Sequence, residues 1–388
     1  MRLIYNAKVL PVSSAPMDGA AVLIDGTKIV DAGYHLGAPE GTEAIDAHGL
    51  PLTPGLVDAH THITTAEEFS LYGLYDYNEM TDPVTPALRI ADSIYPREKN
   101  IAIARNQGGV TCVQTLPGSS NIIGGSGAII KLKDANTLEE ILVRSPSCMK
   151  AALGENPIRV YKQNGKKSPN TRMANAYVMR KAFQDAINYR EKKACRKARE
   201  AFAIDLNMEA LLPVLDRDIK LSIHSHRSDD ICTAVRIAEE FGLDFTIEHC
   251  TEGQFIVPFL SEHHVKAAVG PSFGVATKPE IRNRSWDTLL ALEKGGVHTC
   301  IITDHPVIPL YGLIVAASLA SRAGLSDASA LRNVTLSSAE HMGMADRVGS
   351  IEKGKDADLV IWSGDPLDTR SHPKLVMIDG EVAFREEE

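Results

Sequence analysis

The chain has 388 residues, of which 44% are hydrophobic and 23% charged, and its formal net charge is −9. The acidic balance argues against nucleic acid as a partner, and no apolar run reaches the ~18 residues that cross a membrane. The chain is too long for one ordinary core, so we expect a large domain with a smaller one beside it.

The N-terminal stretch MRLIYNAKVLP lacks the long apolar core and small-residue cleavage site of a signal peptide, and its pattern predicts a strand instead. The six cysteines are scattered, with no CxxC pair. Most fall in or beside predicted strands or helices, which favours reduced, buried thiols. These features predict a cytoplasmic protein.

Both ends of the chain consist of short alternating runs separated by turns. RLIYNAKVLPV and GAAVLIDGTKIVDAGY lie near the start, and DADLVIW and KLVMIDGEVAF near the end. We interpret Asp356 and Asp358 as turn residues. The pattern predicts a small β-sandwich domain formed by both termini, residues 1–53 and 346–388.

The middle of the chain, residues 54–345, alternates strand-like and helical stretches, which is typical of an α/β fold. Eight strands are predicted, the number of a (β/α)8 TIM-type barrel, whose active sites lie at the C-terminal ends of the strands. They are LVDAHTH (56–62), VTCVQTL (110–116), GAIIKL (127–132), MKAALGE (149–155), KLSIHSH (220–226), DFTIEHC (244–250), VKAAVGP (265–271) and HTCIITD (298–304).

Several of these strands end in metal-ligand residue types. His60 and His62 alternate along one strand, so both point to the same face, ~6–7 Å apart, and can close on one cation. His224 and His226, His249 and Asp304 stand at three other strand ends. Because strand ends meet at the barrel mouth, we expect a divalent metal site there.

The stretch PGLVDAHTH resembles the first barrel strand of the amidohydrolase superfamily, the metal-dependent hydrolases related to imidazolonepropionase and dihydroorotase. The C-terminal pattern GxIxxGxxADLVIW, from Gly349 to Trp362, is also similar to that superfamily. The resemblance therefore covers nearly the whole chain.

The resemblance implies a role for each strand-end residue. The implied metal ligands are His60, His62, His224, His249 and Asp304, and Asp304 is also the catalytic residue that takes the proton from water. His226 would then line the pocket. Neutral imidazoles with a carboxylate suit Zn²⁺ best, with one ion or two left open.

The fourth strand leaves its ligand open. Many relatives place there a carboxylated Lys that bridges two metals, whereas some deacetylases place a Glu. Glu155 follows Gly154 at the strand end, so we favour it as the ligand over Lys150, which we expect to lie below the mouth. The adjoining GENP stretch resembles a branch close to imidazolonepropionase.

Loops at the mouth supply the predicted substrate-binding residues. The long segment 75–96 offers Asn78 and Arg89, and the Gly- and Ser-rich segment 116–127 offers Asn121. The latter segment could cradle an anion, although a tight loop is the favoured interpretation. His226, Arg227 and His305 complete the set, and His305 has a structural role as its alternative.

The segment 171–199 is helical in pattern and carries nine Lys or Arg residues against Asp185 and Glu191 alone. It is either a surface for an anionic partner or a solvated helix face, and we favour the second interpretation.

Taken together, these features predict a metal-dependent amidohydrolase that uses a metal-activated water to cleave a C–N bond of a small molecule: an amide, lactam or cyclic amidine. The alternatives are a metal-dependent isomerase or decarboxylase of the same superfamily, and a catalytically silent structural relative. Neither nucleic acid nor a membrane is expected as a partner, and a homo-oligomer is left open.

Overall fold

The computed structural model describes residues 1–66, 75–163, 165, 168–195 and 202–387. Its strands are β1 (Arg2–Val9), β2 (Met17–Asp25), β3 (Lys28–Gly33), β4 (Glu43–Asp46), β5 (Pro51–Pro54), β6 (Leu56–Thr61), β7 (Val110–Thr115), β8 (Ile123–Ser126), β9 (Ala128–Lys131), β10 (Leu142–Arg144), β11 (Cys148–Ala152), β12 (Lys220–Ser225), β13 (Phe245–His249), β14 (Lys266–Val269), β15 (His298–Ile301), β16 (Leu359–Trp362), β17 (Pro373–Ile378) and β18 (Glu381–Arg385).

The described helices all follow β6 in the chain. They are α1 (Lys99–Gly108), α2 (Glu155–Gln163), α3 (Arg172–Cys195), α4 (Leu206–Leu215), α5 (Ser228–Glu240), α6 (Val257–Glu262), α7 (Trp286–Lys294), α8 (Leu313–Ala323), α9 (Asp327–Asn333) and α10 (Leu336–His341). Short 3-10 turns occur at Ile90–Ser93, Leu138–Glu140, Gly253–Phe255, Pro279–Ile281 and Leu310–Gly312. Within the described ranges, no helix combines the length and apolar character needed to span a bilayer.

Both chain ends contribute to one sheet. Its strands lie in the order β18-β17-β16-β5-β1-β2-β3, and β4 pairs with β1. The junction between the two ends is the antiparallel pairing of β16 with β5, in which Val360 lies opposite Thr53. One face buries its own apolar cluster, and the other face packs Trp362 and Val376 into the main core.

The centre of the molecule contains two further sheets with parallel strands. β6 pairs in parallel with β7, and β11 to β15 form a continuous parallel set. These strands are buried nearly throughout, because helices and loops cover both faces of a parallel sheet. The fold is therefore mixed α/β, with every predicted central strand at or near its predicted place.

The third predicted strand differs from the expectation of eight parallel strands. β9 runs antiparallel to β7, and β8 runs antiparallel to β11. A regular (β/α)8 barrel would have a parallel strand here, and none forms because residues 116–127 are too short to hold the crossover helix that parallel pairing requires. The Gly- and Ser-rich part of that segment instead turns the chain back into β8.

Two acidic residues near the C-terminus also differ from expectation. Asp356 and Asp358 are buried, and Lys131 Nζ lies 2.7 Å from Asp356 Oδ2 and 3.0 Å from Asp358 Oδ1. Their interpretation as turn residues is wrong, because a buried ammonium on β9 requires carboxylates around it.

The basic segment lies in α3, apart from residues 196–199, which are outside the described part of the chain. Arg180 pairs with Glu240 and Arg190 with Asp216, at 2.7 Å and 2.9 Å. These exposed ion pairs with neighbouring helices fit the interpretation of a solvated face. The cysteines are free, and Cys112, Cys148, Cys250 and Cys300 are buried.

Candidate metal centre

One cluster of possible metal ligands joins the first and last central strands. His60 and His62 stand at the end of β6, and Asp304 follows β15. Asp304 Oδ1 lies 3.2 Å from His62 Nε2 and 3.5 Å from His60 Nε2. The backbone holds the two segments together, because Asp304 N–H donates to the His60 carbonyl and His62 N–H to the carbonyl of His305.

A second cluster lies at the ends of the next parallel strands. His224 belongs to β12, His226 follows it, and His249 ends β13. The ring centroids of His224 and His249 are 4.5 Å apart, and those of His249 and His60 are 4.9 Å apart. The two clusters are therefore neighbours, and each offers three nitrogen or oxygen donors within 4.8 Å of one another.

Hydrogen bonds fix the orientation of several of these rings. The Nδ1 atoms of His62 and His249 lie 2.7 Å from the carbonyls of Leu116 and Gly270 respectively. Each ring therefore donates through Nδ1 and leaves Nε2 as the free lone pair, the arrangement that prepares a histidine for a metal.

His60 is oriented by a carboxylate instead. Its Nδ1 lies 2.8 Å from Glu248 Oε2, and Glu248 Oε1 lies 3.0 Å from His341 Nε2. All three side chains are almost completely buried. A carboxylate behind a ligand histidine fixes its tautomer and makes the metal-facing nitrogen more basic.

The buried surroundings keep the imidazoles neutral. Burial, with a smaller contribution from the neighbouring Lys150, lowers the pKa of His60 to about 3, and burial also lowers the pKa values of His224, His226 and His249. Burial alone would raise the pKa of Asp304, but His249 and His62 outweigh it and hold the carboxylate ionised. Neutral imidazole and ionised carboxylate are the forms that bind a divalent metal.

Two of these residues have a left-handed backbone. The φ angle is 71° at His249 and 52° at Asp304, a region that non-glycine residues seldom occupy. Such strain concentrates at functional sites, where surrounding contacts enforce it. It also explains why simple strand alternation does not give the direction of these side chains.

Lys150, rather than Glu155, faces the two clusters. Lys150 is 1% exposed, and its Nζ lies 3.0 Å from His60 Nε2. Glu155 is half-buried at the start of α2, where its backbone N–H donates to Glu280 Oε2, and it belongs to neither cluster. The expectation that Lys150 lies below the mouth is wrong, because β11 ends at Ala152 instead of residue 155, so Lys150 stands near the end of the strand and beside His60.

A cavity of about 300 Å³ opens onto both clusters. Of the predicted substrate-binding residues, Asn78 and His226 line it, together with the ligand candidates His62, His224 and Asp304. Asn78 Oδ1 also accepts a hydrogen bond from the N–H of Ser120.

The other predicted substrate residues have different surroundings. Arg89 lines a separate cleft, and Asn121 Oδ1 accepts a hydrogen bond from Tyr161. Arg227 forms a two-fold ion pair with Asp229. His305 is 1% exposed, and its Nδ1 lies 3.2 Å from the N–H of Leu310, as in the structural alternative.

Sequence reasoning missed several residues of this cavity. The Tyr77 ring stacks on His62 with centroids 4.5 Å apart, and Asn156 and Lys278 also line the wall. Tyr77 could have been found as the neighbour of Asn78. Lys278 and the nearby Glu280 carry no motif, because their place depends on how the loop after β14 folds back.

Comparison with known proteins places this site in a family. The model of the amidohydrolase family matches residues 52–383. The chain belongs to the amidohydrolase family. This confirms the resemblance carried by the first-strand motif and the C-terminal pattern. Members of the family hydrolyse C–N bonds, and the two clusters could hold the divalent metal that such enzymes use.

Individual relatives agree with this assignment. The crystal structure of an amidohydrolase from Thermotoga maritima MSB8 superposes with a TM-score of 0.96, at 42% identity over 100% of both chains. An imidazolonepropionase from Mesorhizobium japonicum is 24% identical over 89% of this chain and 86% of its own. Amidohydrolase tasK from Hapsidospora irregularis is 30% identical over 89% of this chain. The match covers only 38% of the length of tasK, so this chain spans little more than a third of that relative.

Proposed function

We propose that this amidohydrolase cleaves a C–N bond of a small molecule, an amide, lactam or cyclic amidine, with a metal-activated water. The observation that carries the proposal is the meeting of His60, His62 and Asp304 with His224 and His249, beside a cavity that His62, His224 and Asp304 line. These five residues come from four strands far apart in the sequence. Buried titratable groups gathered beside a cavity are typical of functional sites.

We infer that the two central sheets form one distorted (β/α)8 barrel. The inference is supported by the bonds between the end of β6 and the segment after β15, including that from Thr303 N–H to Asp58 Oδ2 at 3.1 Å. A separate apolar cluster, with Ile4, Leu52 and Leu359 among its members, supports a small β-sandwich domain from residues 1–53 and 346–388.

The residues present fit one or two zinc ions. His60, His62 and Asp304 would hold one ion, and His224 and His249 would take part in holding the other. Burial lowers the pKa of Lys150, which favours the neutral amine that carboxylation requires. A carboxylated Lys150 would supply the bridging ligand known from relatives, so Lys150 replaces Glu155 in the proposed ligand set.

When bound, a divalent ion would act as a Lewis acid: it would polarise the double bond at the carbon that water attacks, and it would lower the pKa of that water toward about 7. Asp304 is the proton carrier in the proposed reaction. It lines the cavity and is held ionised, so it can accept a proton from water and pass it to the leaving nitrogen. Asn78 and the Tyr77 ring bound the substrate space on the side of His62.

Replacing Asp304 by Asn tests the proposal. The enzyme would first be screened with dipeptides, N-acyl amino acids, lactams and cyclic ureas. The Asp304→Asn variant should lose at least about 10²-fold in kcat, because the amide cannot accept the proton. Its circular dichroism should match that of the parent. The exposed Asp287→Asn variant, at the start of α7, serves as the matched control.

Turnover in ¹⁸O-labelled water separates hydrolysis from its alternatives. A hydrolase must place one labelled oxygen in the product, whereas an isomerase or decarboxylase places none there. Unchanged turnover in Asp304→Asn would remove Asp304 from its role. A zinc-loaded protein without turnover on any of these classes would favour the catalytically silent relative.

A further inference from the structure

Glu280 places a carboxylate against the second histidine cluster. It lies in the 3-10 turn Pro279–Ile281 after β14 and is 3% exposed. Its Oε2 accepts the N–H of Glu155 at 2.8 Å. Its Oε1 lies 3.8 Å from both His224 Nε2 and His226 Nε2. The backbone N–H of Glu155 thus fixes Oε2 of Glu280, while Oε1 is directed at the His224 and His226 rings.

His226 presents an unpaired nitrogen to the same space. Its Nδ1 lies 2.7 Å from Thr251 Oγ1, whereas its Nε2 is buried and has no hydrogen-bond partner among the described residues. A separation of 3.8 Å is too long for a hydrogen bond to Glu280. Buried polar atoms are nearly always satisfied, so this nitrogen calls for a bound group.

We propose that His226 and Glu280 join His224 and His249 as ligands of one divalent cation of the zinc type. The inference rests on the proposed function for the metal but adds two ligands to it. Donor atoms of one tetrahedral zinc ion lie roughly 3.4 Å apart, so the observed 3.8 Å requires only a small closure. Three neutral imidazoles and one carboxylate are a donor set that suits zinc, and a bridging carboxylated Lys150 would make this ion five-coordinate, a coordination number that zinc can also adopt.

Lys278 provides the competing explanation for Glu280. Its Nζ lies 2.8 Å from Glu280 Oε1 and 3.1 Å from Asn156 Oδ1. Glu280 could therefore serve only to neutralise this ammonium. The two explanations make opposite predictions for the removal of the Lys278 charge. If Glu280 is a metal ligand, it should bind zinc at least as tightly without a neighbouring positive charge. If Glu280 only pairs with Lys278, removing the lysine removes the role of Glu280.

The experiment measures zinc binding directly. Chelator-stripped full-length chains would be reloaded with zinc, counted by inductively coupled plasma mass spectrometry, and titrated against a chromogenic chelator. The variants are Glu280→Gln, His226→Asn and Lys278→Met. Glu252→Gln is the control, because Glu252 is also buried but bonds Ser228 and Asn283 instead of facing the histidines.

We expect two zinc ions per chain in the parent and in the Glu252→Gln control. Glu280→Gln and His226→Asn should each weaken the second ion at least tenfold while the first ion stays bound. Lys278→Met should keep both ions and bind the second at least as tightly as the parent. Circular dichroism identifies any variant that does not fold, and the other ligand variant then carries the test.

Three results would overturn the four-ligand position: unchanged zinc affinity in Glu280→Gln, unchanged affinity in His226→Asn, or a loss in Lys278→Met as large as that in Glu280→Gln. These results differ from a failure of the proposed function. A parent chain that binds no zinc removes both proposals, whereas one tight ion with normal turnover removes only this one.

Discussion

At the scale of single residues, the Glu248 carboxylate forms hydrogen bonds with two buried histidines. It stands between His60 and His341, and its Oε1 also accepts a hydrogen bond from Thr246. Burial alone would raise its pKa, but His341 and His60 outweigh it and keep the carboxylate ionised. We interpret Glu248 as a positioning residue, which acts by fixing the His60 ring for metal binding.

The Glu248→Gln variant tests this positioning role. The neutral amide is a weaker acceptor for the His60 ring N–H, so zinc affinity should fall about 10–100-fold. Chelator competition measures the loss. Glu340→Gln, which removes the partner of His298 and Arg332, should leave zinc affinity unchanged. Equal affinity in Glu248→Gln and the parent would show that packing alone orients His60.

At the scale of secondary-structure elements, the junction of α1 with β7 contacts the terminal sheet, which both chain ends form. Gly109 ends α1 with a φ of 67°, and a Cβ placed there would lie 2.9 Å from the Trp362 ring. Trp362, in β16, is fully buried and donates from Nε1 to Thr53 Oγ1. The terminal sheet therefore reaches the main core through a position that only glycine fits.

The Gly109→Ala variant should lower the free energy of unfolding by about 1–3 kcal/mol, from backbone strain and the clash with Trp362. Urea denaturation measures it. Gly41→Ala is the matched control, because Gly41 has a φ of 82° but a Cβ added there would meet nothing within 4 Å. An equal loss in both variants would attribute the whole effect to backbone strain and none to Trp362.

Lys131 connects the centre to the C-terminal end at the scale of the whole molecule. This ammonium on β9 is 1% exposed and pairs with Asp356, Asp358 and Asp379. Asp356 and Asp358 lie before β16, and Asp379 lies between β17 and β18. One buried cation thus pairs with acids from three points of the C-terminal segment, which fixes that segment on the central strands.

The Lys131→Met variant should lose about 3–5 kcal/mol of stability at pH 7, because it leaves buried carboxylates without their cation. Guanidinium unfolding measures the change. Lys133→Met is the control, since Lys133 is one-third exposed and its ammonium pairs with Asp379 at 2.9 Å. Lys28 and Arg347 also pair with Asp356, at 2.6 Å and 2.8 Å. A loss no larger than that of the control would show that these two cations are sufficient without Lys131.

The same cluster predicts how stability depends on pH. Burial alone would raise the pKa of Asp356, but Lys131 and Lys28 outweigh it and lower the pKa from 3.8 to about 2. A lowered acid pKa stabilises the fold above the unfolded value, so this contribution should be complete above about pH 4 and disappear toward pH 2. Unfolding free energies measured from pH 5 to pH 2 should fall less steeply in Lys131→Met.

Local pattern alone was sufficient for the strands and for most ligand candidates. Two-residue alternation gives His60 and His62 a common face, and an apolar run before each of His224, His249 and Asp304 marks a strand end. These features depend only on neighbours in the chain. The family followed from the same residues, because its first-strand motif is a continuous stretch.

Tertiary structure alone decided the rest. Side chains alternate between the two faces in the same way in parallel and antiparallel strands. The sequence of β9 therefore does not show its direction, which only its antiparallel pairing with β7 revealed. The early end of β11, at Ala152, set Lys150 and not Glu155 against His60. Glu280 reaches His226 only because the loop after β14 folds back over the cavity. A sequence specifies which groups a segment carries, whereas packing between distant segments determines which groups meet.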